Sequence, residues 1–300
     1  MKSMASSSAN KRRRVCEDNG GSTATTSVRV KVEEDPHING RNAQPDETHS
    51  TSPVASSTIN KNTEAVLLVP QLDVLAQLLT VDLAQDNAAN VARALTKLAE
   101  LLRKEASECQ QANQLGAAVV VLTVMRKFQH HKGVQKDGCS CICLLAFACQ
   151  NDPHGRNTLL QCGAVEAALN AMSVFPSSQG VQKQACYALM NTLSPPCGGG
   201  EDDDDMLGRS MQRFVLELDG IARVVQTMKD FSTATEIQVA GCGLLGNLAT
   251  RRAFHNIMRE ARAVGVVAAA LEDHAQHPSI VVNGNKVMVC LFSESSSSSS

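Results

Sequence analysis

Apolar residues recur along most of the chain at intervals of three and four, as in "NAANVARALTKLAELL", "GAVEAALNAM" and "VQKQACYALMNTL". That spacing places them on one face of an α-helix, whereas half-buried strands would need strict alternation, which is nowhere sustained. The pattern predicts an all-α fold. Residues 1–63 break from it: they are mostly Ser, Thr, Asn, Asp, Glu, Lys and Arg, too poor in apolar side chains to pack a core, and are expected to be a disordered arm. The apolar pattern runs through residues 64–293, and a polyserine tail over 294–300 cannot continue it.

The helical pattern repeats. "GAAVVVLTVMRKFQHHKGVQKDGCSCICLLAFA" from Gly116, "GAVEAALNAMSVFPSSQGVQKQACYALMNTL" from Gly163 and "GIARVVQTMKDFSTATEIQVAGCGLLGNLAT" from Gly220 align on one template. Each copy opens with Gly and an apolar helix, crosses a polar loop, and starts a longer helix with Val-Gln or Ile-Gln. Small residues follow on that long helix, in Gly138-Cys139, Ala185-Cys186 and Gly241-Cys242, where a neighbouring helix would approach closely. A degenerate copy begins at Gly265, with Gly284 and Met288 in the same roles. A partial one precedes the three, with Ala94 and Leu98, which makes about five units. Short helical segments, "SECQQANQL", "GRNTLLQC" and "RRAFHNIMREARAV", join successive copies. A period of roughly forty-five residues lies in the range of two- and three-helix repeat arrays.

Short helix, medium helix and long helix, with Gly closing the first and Val-Gln opening the third, resemble the armadillo repeat over Gln71 to Phe292. The divergent, Cys-containing copies are also similar to the armadillo array of the large leucine-rich-repeat kinases, although no kinase or leucine-rich segment is present here. The resemblance implies a right-handed α-solenoid whose third helices line a concave groove. An Asn late in the third helix there binds the main chain of an extended peptide. Asn191 and Asn247 hold that position, and an amide can donate and accept at once. The alternative is that these amides bond to a neighbouring loop or to the adjacent third helix. Tyr187 beside them, with Gln182 and Gln238, completes the expected partner-binding groove. The equivalent positions elsewhere are Glu100, Leu144 and Cys290, so the ladder has two rungs. Where import receptors of this family carry Trp, this chain has Thr96, Ser140, Tyr187, Gly243 and Lys286, which argues against an import-receptor role.

Charge and composition narrow the function further. The net charge of −2 supplies no general attraction for nucleic acid. The 11 cysteines sit mainly where a small apolar residue would serve, the pattern of free thiols in a reducing, intracellular compartment. The longest apolar run, "GAAVVVLTVM", is too short to span a bilayer, so no membrane role is expected. "CSCIC" lacks the paired spacing of a zinc site, and Cys141 points away from Cys139 and Cys143 on a helix, so no metal and no cofactor is expected. No phosphate-cradling loop, nucleophile elbow or zincin motif occurs, and the chain reads as a non-catalytic binding scaffold or adaptor. The alternative is a structural or self-associating subunit that uses the convex face or the C-terminal end, and an enzyme is the remote one.

Three short motifs lie in the arm. Lys11, Arg12, Arg13 and Arg14 resemble a monopartite nuclear-localisation signal, which would engage an import receptor. Lys31 in "VKVE" fits a sumoylation acceptor, and Ser52 before Pro53 fits a proline-directed phosphosite. Together they favour a nuclear, or nuclear and cytoplasmic, protein. The insert "PPCGGGEDDDD", within residues 195–206, is expected to leave the repeat as a solvated acidic loop.

Overall fold

The computed structural model describes residues 70–78, 87–196 and 206–292. The arm with Lys11–Arg14, Lys31 and Ser52, the acidic run of the insert, and the tail all lie outside the described residues. Those residues form an all-helical fold of fourteen α-helices and one 3-10 turn, with no strand among them. No described helix is long and apolar enough to cross a membrane.

A helix α1 (Pro70–Gln77) and a long helix α2 (Ala88–Leu102) come first. Three helix sets follow in short, medium, long order. They are α3 (Ala106–Gln114), α4 (Ala117–Lys127) and α5 (Lys132–Ala148); then α6 (Pro153–Gln161), α7 (Ala164–Val174) and α8 (Gln179–Thr192). The third set is α9 (Met206–Leu216), α10 (Gly220–Asp230) and α11 (Thr235–Leu248). A last set holds the 3-10 turn Arg252–Phe254, α12 (His255–Glu260), α13 (Ala263–Asp273) and α14 (Pro278–Phe292).

Local chemistry sets several starts. Asn87 accepts from the Asn90 N–H at 3.1 Å to open α2, and Asp152 accepts from the His154 N–H at 3.1 Å, with Pro153 at the first helical position of α6. The medium helices start from a residue in the left-handed conformation. Gly116 (φ 82°) and Gly163 (φ 83°) take it as the sequence pattern anticipates, but Asp219 (φ 52°) and Arg262 (φ 61°) take it in the later copies. Gly220 and Gly265 therefore do not hold the left-handed place that Gly116 and Gly163 take in the aligned copies. Gly220 is already helical, and its missing side chain makes room for the Phe214 ring, which a Cβ would meet at 2.3 Å.

Helix α9 was absent from the repeat read in the sequence because the insert hides it. Leu207, Met211, Phe214 and Val215 bury its apolar face in the place that α3 and α6 occupy in their sets.

Corresponding helices of successive sets pack together. The long helices pair α2 with α5, α5 with α8, α8 with α11 and α11 with α14; the short ones pair α3 with α6 and α6 with α9. Within each set the medium helix packs on its long helix. That contact is where the small residues matter. A Cβ on Gly138 would lie 2.5 Å from Met125 Cγ, one on Gly241 2.4 Å from Met228 Sδ, and one on Gly284 2.8 Å from Leu271 Cδ2. One contiguous apolar core runs through all the sets.

Gly241→Val drives a branched side chain into Met228 and is expected to lower stability by roughly 1–3 kcal/mol through overpacking. Gly265→Ala, on an α13 surface where a Cβ meets nothing within 4 Å, is expected to raise it by about 0.5–1 kcal/mol. Denaturant melts of both variants check the pair; a neutral Gly241→Val would remove close packing as the reason for the glycine.

Candidate binding surface on the long helices

The glutamines that open the long helices are structural. In α5, Gln135 Nε2 donates to Met125 O at 2.8 Å and Phe128 O at 3.1 Å; in α8, Gln182 Nε2 donates to Met172 O at 2.8 Å and Phe175 O at 3.0 Å. In α11, Gln238 Nε2 donates to Met228 O at 2.9 Å and Phe231 O at 3.0 Å. The last carbonyls of a helix have no partner within it, and here they are buried, so an amide with two N–H groups meets two of them at once. Gln182 Oε1 also accepts from Thr227 Oγ1 of the next set at 2.9 Å. With Gln182 and Gln238 each 2 % exposed, neither amide is presented to a ligand, which corrects their placement in the groove. The signal was in the sequence as Met-x-x-Phe-x5-Val/Ile-Gln, present at Met125, Met172 and Met228; in the last copy Val281 replaces the glutamine.

The asparagines bridge long helices. Asn191 Nδ2 donates to Cys143 O at 3.0 Å and lies 3.3 Å from its Sγ, and Asn247 Nδ2 donates to Met190 O at 3.1 Å. At 9 % and 8 % exposed, each fastens its helix to the preceding long helix. This is the adjacent-helix alternative for the amide nitrogens. No hydrogen bond to either Oδ1 is recorded among the described residues.

Tyr187, half-buried, stands one turn before Asn191 on α8. Its hydroxyl pKa is pushed up to about 12 by burial and then by the nearby Glu236 charge, so it remains a neutral donor at physiological pH. Around it the long helices carry cross-helix polar pairs. Thr96 Oγ1 donates to Asp137 Oδ2 at 2.7 Å, Arg103 Nη2 to Ser140 Oγ at 2.8 Å, and Lys183 Nζ lies 3.0 Å from Glu236 Oε2. Helix α11 is buried along nearly its whole length, because Gly243 and Gly246 admit Met190 of α8 and the Asn283 backbone of α14 close against it.

Donors that the sequence reading missed meet the C-terminal ends of long helices. Arg156 of α6 donates to Cys149 O and Gln150 O beyond α5, and His255 Nε2 of α12 lies 2.8 Å from Ala249 O beyond α11. Both come from the next short helix, as a donor at a helix C-terminus requires.

The thiols behave as small core groups. Cys141 Sγ donates to Leu95 O at 3.5 Å across α2 and α5, and Cys109 Sγ donates to Leu102 O at 3.0 Å. Among the described residues no three His, Cys, Asp or Glu side chains come together as a metal site. Burial pushes the thiols of Cys109, Cys143, Cys186 and Cys242 up to about 12 and Cys149 to about 11, and raises Cys139 and Cys141 as well. A depression of about 390 Å³ between α10 and α13 is lined by Met228, Val266 and Ala270, and the charged side chains at it, Lys229, Arg262 and Asp273, are all exposed.

Comparison with protein-family models, with curated proteins and with solved structures finds no match to this chain.

Two measurements test the site chemistry. Gln182→Leu strips the Met172 and Phe175 carbonyls and the Thr227 hydroxyl of a buried partner, and is expected to destabilise the fold by about 2–3 kcal/mol in denaturant melts; an unchanged melt would show that water replaces the amide. For the thiols, unfolded cysteines ionise near pH ~8.5 while the folded ones keep their protons. The unfolded chain then binds fewer protons, so stability falls as pH rises from about 9 towards the raised values near 11 and 12. The denaturant midpoint under reducing conditions should therefore be lower at about pH 10 than at about pH 8; equal midpoints would contradict thiol burial.

Proposed function

We propose that the chain is a non-catalytic protein-binding scaffold, an armadillo-like α-solenoid of about five units whose long helices line a groove for an extended or helical segment of a partner. The observation that carries this reading is the unbroken succession α2, α5, α8, α11 and α14, each long helix packed on the next. Thr96, Ser140, Tyr187, Gly243 and Lys286 stand at equivalent places of these helices. Because each repeat buries its apolar face only against its neighbours, such an array presents a continuous elongated surface rather than an enclosed pocket. Tyr187 is its aromatic anchor, suited to hold an apolar stem and donate one hydrogen bond. Asn191 and Asn247 keep their Oδ1 atoms for a partner's backbone N–H while their nitrogens tie the helices together. The basic run Lys11–Arg14 is proposed to direct the chain to the nucleus through an import receptor.

A second reading, self-association through the C-terminal end, is favoured by one feature: Val282, Val289 and Phe292 on α14 are 47 %, 66 % and 52 % exposed. The two readings separate in one experiment. Tyr187→Ala should reduce capture of partner proteins from cell extract by roughly tenfold. Val119→Ser, on an exposed position of the medium helix α4, should leave capture unchanged. If Tyr187→Ala captures normally, and Val289→Ser with Phe292→Ser converts a dimer to a monomer in sedimentation, the self-association reading replaces the groove.

A further inference from the structure

Among the half-buried charged side chains of the long helices, all but one are matched. Asp137 lies 3.2 Å from Lys136 and accepts from Thr96, and Glu236 lies 3.0 Å from Lys183. Lys286 of α14 has no such partner: among the described residues no carboxylate lies within ion-pair distance of its ammonium. Its stem is laid over α11, with Cδ 3.7 Å from where a Cβ of Gly246 would stand, and the residue is half-buried. Lys286 is also the single charged residue of α14.

A half-buried ammonium without a counter-charge has lost part of its hydration and gained no ion pair in return. Burial accordingly lowers its pKa. A carboxylate brought to it would restore the missing interaction, while a cationic segment would meet repulsion. Next to Gly246 stands Asn247, whose Oδ1 is the backbone acceptor proposed for the same groove.

We infer that Lys286 is the docking point for an Asp or Glu side chain of the partner segment, so that the groove selects acidic extended segments over basic ones. This rests on the groove reading above and adds the chemistry of what the groove accepts.

The test is selection of a fully randomised peptide library on the full chain, repeated on Lys286→Gln, Lys286→Glu and Tyr187→Ala, each checked for unchanged helicity. The wild type should enrich peptides with Asp or Glu at one fixed position. Lys286→Gln should weaken an enriched peptide on the order of tenfold, as expected for loss of a charge-assisted contact. Lys286→Glu should shift the preference at that position to Lys or Arg. Enriched peptides that depend on Tyr187 but show no acidic position, or that bind Lys286→Glu as they bind the wild type, overturn the lysine assignment and leave the groove standing. Peptides indifferent to both Tyr187 and Lys286, or no enrichment at all, overturn the groove reading together with it.

Discussion

The medium helices α4, α7 and α10 end with backbone carbonyls facing the core, and the paired amide hydrogens of Gln135, Gln182 and Gln238 meet them. Because one side chain bonds the end of the medium helix and belongs to the start of the long one, it fixes how the two cross. The glycine or alanine on the following turn then sits against the methionine of the medium helix, as at Gly138 and Met125 or Gly241 and Met228. Crossing and close approach are thus set together, once per copy. In the last copy Val281 takes the glutamine's place, and the His274 ring at the end of α13 reaches the preceding set, with Nε2 2.8 Å from Ser232 O and Nδ1 3.3 Å from Thr235 Oγ1.

With each set fixed internally, the contacts between sets fall to the long helices, and the polar side chains there serve two purposes. Asn191 and Asn247 tie each long helix to the one before it. Buried amides of this kind fix register, since a slip would leave them without partners. The same helices carry Tyr187 and Lys286, whose half-buried polar ends are not consumed by the fold in the same way. The proposed groove therefore depends on the bridges beneath it.

Much of the fold was legible because periodic burial writes itself into sequence. The stripes of α2, α5 and α8 and the small residues facing methionine follow directly from helix geometry. What escaped has a common cause: a polar side chain on a predicted apolar face does not say which neighbour it meets. The pattern places Gln182 and Gln238 in a groove, although their partners are carbonyls ten and seven residues earlier, at a helix end whose burial only the packed structure reveals. For Asn191 the sequence left two orientations open, and the spacing between α5 and α8 decides the bond of its nitrogen. Helix α9 was obscured by the insert, and the left-handed residues Asp219 and Arg262 by the assumption that a glycine must fill that place.

The proposed groove stands or falls on whether the line of the long helices that carries the half-buried Tyr187 receives the partner. Its most direct test is photo-cross-linking in cells with a benzophenone amino acid placed at Tyr187 and, separately, at Val119 on α4 and Val289 on α14. A discrete adduct with another protein is expected at Tyr187, with Val119 silent. Adducts from Val119 or Val289 and none from Tyr187 would contradict it and move the binding surface to the medium helices or to the C-terminal helix.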